Sequence, residues 1–293
     1  MTIREHINFI THKLQPLYES REAAAIAKLY MQTKLDLQPY ELALRGGELL
    51  PSEQSGTFME DLALLQKGCP VQYVLGTADF FGNVFKVTPD TLIPRPETEE
   101  LVQRVVDNMQ THPHPLIWDV GTGSGCIAIT LALQLPFAEV YATDISAEAL
   151  SVAQENARRL GAKVQFAQHD MCDAEHLPFA PQPFDCMVSN PPYIPQSVRA
   201  QMHVNVREYE PHQALFVPDA HPLVFYEALA TLGEKVLCPN GVLHAETYEE
   251  FHDDLRTMFE GRGYCDFVSY KDLNDRVRAF SVLHARGKLK IEN

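Results

Sequence analysis

Leu116-Ile117-Trp118-Asp119-Val120-Gly121-Thr122-Gly123-Ser124-Gly125 is the stretch on which the fold turns. Its apolar opening, Leu116 to Trp118, has the character of a short buried strand, and the run from Cys126 to Leu135 that of a helix. The glycines between them make a tight strand-to-helix turn whose backbone a ligand can approach closely. The spacing is Gly-x-Gly-x-Gly. It is neither the Gly-x-Gly-x-x-Gly of the dinucleotide fingerprint nor a phosphate loop ending in Gly-Lys-Ser/Thr. A purely structural turn is the competing reading of these glycines taken alone.

Outward from this point, strands and helices alternate. Glu139 to Thr143, Val164 to Ala167, Phe184 to Ser189 and Gly241 to Glu246 read as strands. Ala147 to Leu160 (closed by Gly161), Leu223 to Leu237 and Tyr248 to Glu260 read as helices, and β-rich runs follow around Phe267 and from Val277 to Leu283. This rhythm predicts an α/β domain with a mostly parallel sheet covered on both faces.

The second strand ends in Tyr141-Ala142-Thr143-Asp144, about 20 residues beyond the glycines, where an acidic side chain accepts hydrogen bonds from both ribose hydroxyls. A helix-capping or solvent-facing aspartate is the alternative. Together, loop and carboxylate point to a bound adenosine, and the glycine spacing favours the methionine-linked one, S-adenosylmethionine. After the third strand, His169-Asp170-Met171 puts a polarizable thioether where an open sheet would clamp adenine. Contact with the ring and simple core filling both remain open for Met171.

Asn190-Pro191-Pro192-Tyr193 follows the strand Phe184 to Ser189 at its carboxyl end, where open α/β sheets bind ligands. Two prolines fix φ and surrender two backbone donors, so the nearby carbonyls stay aimed as acceptors. Asn190 adds a side-chain carbonyl and Tyr193 a flat face with a polar tip. The set suits a planar amide or amine that is methylated on nitrogen. Acceptors favour the positive charge developing there, and positioning against a sulfonium methyl does the rest. A bare proline turn is the competing reading.

Residues 1–68 read as a small helical bundle: Ile3, Ile7, Ile10, Leu14 and Leu17 recur at helical spacing, Glu19 to Leu35 is Ala- and Leu-rich, and a third run carries Phe58, Leu62 and Leu65. Substrate docking and simple packing are both open roles for it. Residues 69–91 are expected to form a β-hairpin linker, with Gln72 to Leu75 as one strand, a Gly82-Asn83 turn and Val84 to Val87 as the other. Residues 92–293 are expected to be the catalytic domain. Pro96 falls at the first turn of a helix that His112-Pro113-His114-Pro115 ends, with Glu97 and Glu99 favourable to its N-terminal dipole.

The chain has 293 residues and a formal net charge of −15. No Lys/Arg cluster offsets that field, which argues against direct nucleic-acid binding. The six cysteines are scattered singly, without a Cys-x-x-Cys pair, and are expected to be reduced, buried thiols. His112 and His114 offer too few ligands for a metal, and none is expected. With no apolar run of membrane-spanning length and no apolar leader, a cytoplasmic protein without membrane association is expected.

On these residues the chain resembles the N5-glutamine methyltransferases of the HemK/PrmC type, which methylate peptide chain release factors. Gly68 to Tyr73 and Leu92 to Glu99 match that family's hairpin and linker signature. Asp119 to Gly125, Asp144 and Asn190 to Ile194 match its core, and Glu208 to Leu215 and Lys271-Asp272-Leu273 its later blocks. The resemblance implies a class I S-adenosylmethionine-dependent methyltransferase (Rossmann-like) domain preceded by a small helical bundle and a β-hairpin joint. It implies cofactor contacts from Gly121, Thr122, Gly123, Ser124, Gly125, Asp144, Met171 and Asn190, with S-adenosyl-L-homocysteine as the product. Catalysis would rest on Asn190, Pro191 and Tyr193, and the glutamine would touch Asn190, Pro191, Pro192 and Tyr193. The partner would be a class I release factor docked by the helical domain, and the enzyme a monomer. Two features depart from the family pattern: Met171 stands at a usually aromatic position, and Phe216 to Leu223 replaces a Gly-x-x-Gly-Leu stretch. Asn-Pro-Pro-Tyr is shared with N6-adenine methyltransferases of nucleic acids. Ribosomal-protein glutamine methyltransferases, by contrast, diverge after the Pro-Arg of Ile93 to Glu99. These two activities, and a cofactor-binding scaffold without turnover, are the alternatives.

Overall fold

The computed structural model describes residues 1–50, 56–180, 182–272 and 275–285. Leu273 of the sequence block noted above lies outside them. The chain divides into two units, Met1–Thr77 with His203–Tyr209, and Ala78–Met202 with Glu210–Asn293.

The first unit is helical: α1 (Ile3–Leu14), α2 (Ser20–Leu35), α3 (Pro39–Leu44), α4 (Phe58–Gln66) and α5 (Val71–Leu75). Thr2 and Glu5 form a reciprocal capping box at the start of α1. Ile3, Ile10, Leu14, Ala27, Met31, Leu62 and Leu65 make the core. Where Gln72 to Leu75 reads as strand, the chain is the helix α5, a correction with a clear cause. Pro70 stands before it, Gly76 closes it at φ 73°, and Val71, Val74 and Leu75 lie at i, i+3 and i+4 against this core. The hairpin follows one element later, as β1 (Thr77–Phe80) paired with β2 (Asn83–Lys86). Its turn is Phe81-Gly82, both with positive φ, rather than Gly82-Asn83.

The second unit is built on a seven-stranded sheet of order β10-β11-β9-β6-β3-β4-β5. Its strands are β3 (Leu116–Val120), β4 (Glu139–Asp144), β5 (Val164–Gln168), β6 (Phe184–Ser189), β9 (Leu237–Glu246), β10 (Tyr264–Lys271) and β11 (Val277–His284). The first five run parallel, and β11 and β10 continue the edge antiparallel. Alternate residues of β3 serve opposite faces. Ile117 packs in the layer of α6 (Pro96–Met109), α7 (Cys126–Gln134) and α8 (Ala147–Leu160). Trp118 packs in that of α10 (Val224–Val236) and α11 (His252–Gly261). Burial on both faces is why these strands read as near-continuous apolar runs. The mostly parallel, doubly covered sheet expected from the sequence is what forms. Phe80 and Phe85 of the hairpin belong to the first of these layers, and Lys86 is tied to α8 through Asn156 at 2.7 Å and Glu155 at 2.6 Å.

A short parallel pair, β7 (Ile194–Pro195) and β8 (Phe216–Val217), flanks the segment that carries α9 (Val204–Tyr209). That helix packs with the first unit. Val204 lies so close to Gly68 that a Cβ there would meet its Cγ1 at 2.7 Å, and the Tyr209 hydroxyl donates to the Lys67 carbonyl. Cys69, Cys126 and Cys186 are buried, whereas Cys172 and Cys265 are exposed, against expectation. No helix among the described residues is long and apolar enough to cross a membrane.

Candidate active site

Strands β3, β4 and β6 are neighbours whose connections leave on opposite sides of β3, so a crevice opens at their carboxyl ends. A cavity of about 520 Å³ occupies it. Gly121 to Ser124 reach it from β3, Asp144 from β4, Met171 from beyond β5, and Asn190 and Pro192 from β6. Gly125, Pro191 and Tyr193 are not on its wall. Gly125 begins α7 at φ 83°, where a Cβ would lie 2.8 Å from Ile129 and 3.0 Å from Ala153. Its glycine is therefore demanded by the packing of α7 against α8.

The loop is held from below by Asp119, which is fully buried. Its Oδ2 accepts from the Thr122 hydroxyl at 2.6 Å and the Ala128 N–H at 3.1 Å. Burial pushes this carboxyl up to about 7 against those two bonds. Backbone N–H groups of Gly121 and Thr122 both donate to the Thr143 carbonyl, at 2.9 and 2.8 Å. Asp144 then accepts from the Gly123 N–H at 2.8 Å and the Ser146 N–H at 2.9 Å. Burial raises its pKa while the Ser146 and Gly123 bonds oppose that shift. A Cβ at Gly121 would come within 3.3 Å of the Met171 methyl, so the two face each other across the cavity wall.

On the β6 side, Asn190 Nδ2 donates to Thr98 Oγ1 at 3.4 Å. Thr98, in the first turn of α6, donates in turn to Glu246 at the end of β9. The Tyr193 hydroxyl donates to the other Glu246 oxygen at 3.5 Å. Arg95 lines the cavity and pairs with Glu210. Thr98, Glu246 and Glu210 carry no role in the sequence reading. Glu246 ends a parallel strand, the position at which such sheets place functional side chains, and that signal could have found it. Glu210 and Thr98 sit in blocks quoted only for resemblance. Among the described residues no group of three or more His, Cys, Asp or Glu is placed to hold a metal.

Residues 113–262 match the family described as methyltransferase domain, and residues 5–76 the PrmC N-terminal domain. The release factor glutamine methyltransferase of Bacteroides thetaiotaomicron is 39% identical over 272 residues, covering 92% of this chain and 96% of that one. The chain belongs to the release factor glutamine methyltransferase family. A second relative of that name, from Flavobacterium psychrophilum, is 36% identical over 282 residues, 94% of this chain and 98% of its own. A methyltransferase crystal structure from Pyrococcus furiosus superposes with a TM-score of 0.50 over 80% of this chain and 100% of that one. At 14% identity it speaks for the fold alone.

As a release factor glutamine methyltransferase, the protein is an enzyme of the class I S-adenosylmethionine-dependent kind, as the sequence leads one to expect. The cavity suits that cofactor. A carboxylate has about four lone-pair sites; at Asp144 the Gly123 and Ser146 N–H groups take two and the Ile145 N–H also faces it, which leaves acceptor capacity for a ribose hydroxyl. Gly121 has no Cβ to fill the space before Met171, and the wall combines the Asp144 carboxylate with Ile127, Ile145 and Pro192.

Proposed function

We propose that this chain transfers a methyl group from S-adenosylmethionine to the side-chain amide nitrogen, N5, of the glutamine in the Gly-Gly-Gln motif of class I peptide chain release factors. The observation that carries the reading is the placement of Asn190 and Pro192 on the same cavity wall as Gly121, Gly123 and Asp144. A nitrogen acceptor site and a nucleoside site thereby share one space. Relatives bearing that name, matched over 96% and 98% of their own length, support the same acceptor.

Cofactor contacts fall to Gly121, Thr122, Gly123, Ser124, Asp144, Met171 and Asn190, with Gly125 shaping the loop from behind. The donor supplies an electrophilic methyl group on a sulfonium centre. Asn190 accepts from the substrate amide, and Pro191 and Pro192 hold the adjoining carbonyls as acceptors without competing donors. Tyr193 takes part through Glu246, to which its hydroxyl is bonded. Acceptors around the nitrogen stabilise the positive charge that grows on it as the new C–N bond forms. No side-chain base is required, because an N-methylated amide cation loses its proton readily. The first unit docks the factor, the enzyme works as a monomer in the cytoplasm, and a net charge of −15 disfavours nucleic acid as substrate.

The test follows a labelled methyl group onto a release factor, its Gln→Glu variant and DNA. Label on the wild-type factor alone is expected, since a carboxylate would face acceptors. Label on DNA and none on the factor would overturn the reading.

A further inference from the structure

We propose that Glu246 is a positioning residue of this site, acting through Thr98 to fix which end of the Asn190 amide faces the cavity. The inference rests on Asn190 being the amide acceptor of the preceding section.

Glu246 is 4% exposed at the carboxyl end of β9. Its carboxylate is met by two hydroxyls, those of Thr98 and Tyr193. An ionised carboxylate only accepts. The single hydroxyl proton of Thr98 is therefore committed to Glu246, and Thr98 Oγ1 is left as an acceptor toward its other neighbour. That neighbour is Asn190, whose Nδ2 donates to it at 3.4 Å. The two ends of a side-chain amide diverge, so an Nδ2 turned to Thr98 turns Oδ1 away from it. Asn190 itself lies on the cavity wall. The order of donors along Asn190, Thr98 and Glu246 thus sets the polarity that an incoming amide meets. An amide nitrogen needs acceptors, and a flipped Asn190 would offer it a donor.

Glu246→Gln keeps the shape but no longer dictates the order. With its NH₂ toward Thr98 Oγ1 the Thr98 proton is freed for Asn190 Oδ1 and Asn190 turns its NH₂ outward, whereas only with its Oε1 toward Thr98 does the wild-type order survive. The ionised state matters for the same reason. Burial pushes the Glu246 carboxyl up to about 7, opposed by its Thr98 bond, reinforced by Glu97 and opposed again by Tyr193 and Arg95. The other titratable neighbours are Tyr226, whose hydroxyl donates to the Glu246 carbonyl, Cys126 at the start of α7, a buried thiol raised in part by the Glu246 charge, and Arg278, which faces Tyr193 from β11.

The experiment uses the full chain, S-adenosylmethionine and an intact release factor at about pH 8. Glu246→Gln should keep KM for the factor, which the first unit docks, and lose kcat by roughly tenfold or more, the scale of one misoriented dipole at a reacting centre. In wild type, kcat should fall as pH drops through about 7, and this limb should vanish in Glu246→Gln. Thr98→Ser, which keeps the hydroxyl, should retain kcat where Thr98→Val loses it, a comparison that decides the matter even if Glu246→Gln does not fold. Wild-type kcat in Thr98→Val, a low-pH limb that persists in Glu246→Gln, or Thr98→Ser as poor as Thr98→Val, overturns the relay alone. A wild-type chain that labels no factor overturns the acceptor reading, and the relay with it.

Discussion

Arg95 and Glu210, 115 positions apart in the chain, meet in an ion pair of 2.5 Å in which the carboxylate side chain is 1% exposed and the guanidinium 35%. The same carboxylate accepts the Ile93 N–H at 3.3 Å. The pair joins the linker before α6 to the segment after α9, and Arg95 lines the cavity. Its two halves are unequal. Without Arg95 a buried carboxylate keeps only a long backbone bond, whereas without Glu210 the arginine still reaches water. Arg95→Ala should therefore cost on the order of 3 kcal/mol, and Glu210→Gln markedly less. Urea denaturation of both variants checks the asymmetry, and equal losses would show that burial of Glu210 is not the controlling factor.

Asp144→Ala should weaken S-adenosylmethionine binding by at least about tenfold, because each hydrogen bond to a charged acceptor is worth roughly 1.5–3 kcal/mol. The carboxylate also pins the Gly123 and Ser146 N–H groups, so the loop loosens as well. Calorimetry with an unchanged affinity would remove Asp144 from the cofactor site.

Asn190→Ala should leave the chain folded. It should lower the rate of methyl transfer by about 10²–10³, the usual loss when one oriented dipole is removed from a reacting centre. Turnover near wild type in a single-turnover assay would move the acceptor role elsewhere.

The buried carboxyls make stability depend on pH in an unusual direction. Glu246 rises from 4.5 to about 7 on folding, so the folded chain holds a proton that the unfolded one releases. Its contribution is full below about 4.5 and is lost as pH rises through about 7. Asp119, raised from 3.8 to about 7, acts in the same sense, and buried His244, lowered from 6.5 to about 4, in the opposite one. The clean measurement is the difference between wild type and Glu246→Gln. The variant should gain on wild type by on the order of 3 kcal/mol between acid and pH 8. A pH-independent difference in urea midpoints would mean that Glu246 titrates alike in both states.

Much of this protein was settled by local sequence. The apolar runs bracketing Gly121 to Gly125, their repetition with helices, and Asp144 at the next strand end specify a parallel α/β sheet with a crevice at its carboxyl ends, because strand period, glycine turns and strand-end carboxylates are short-range signals. The nitrogen chemistry proposed for Asn190 to Pro192 is likewise a local reading: proline stiffness and amide polarity belong to the residues themselves. Even the misread Gln72 to Leu75 was resolved locally, since Pro70, Gly76 and the Val71, Val74, Leu75 spacing outweigh strand propensity.

Tertiary structure decided what depends on distant partners. No sequence pattern brings Glu246 to Thr98 across 148 positions, or Glu210 to Arg95 across 115. The first meeting follows from strand order, which places β9 beside β6 and α6 over both. Nor does any local signal say that Val204 to Tyr209 packs with Gly68 and Lys67, or that Gly125 serves helix packing while Gly121 leaves room for Met171. A buried carboxylate takes its pKa and its partners from everything folded around it, and that environment exists only once the chain has closed.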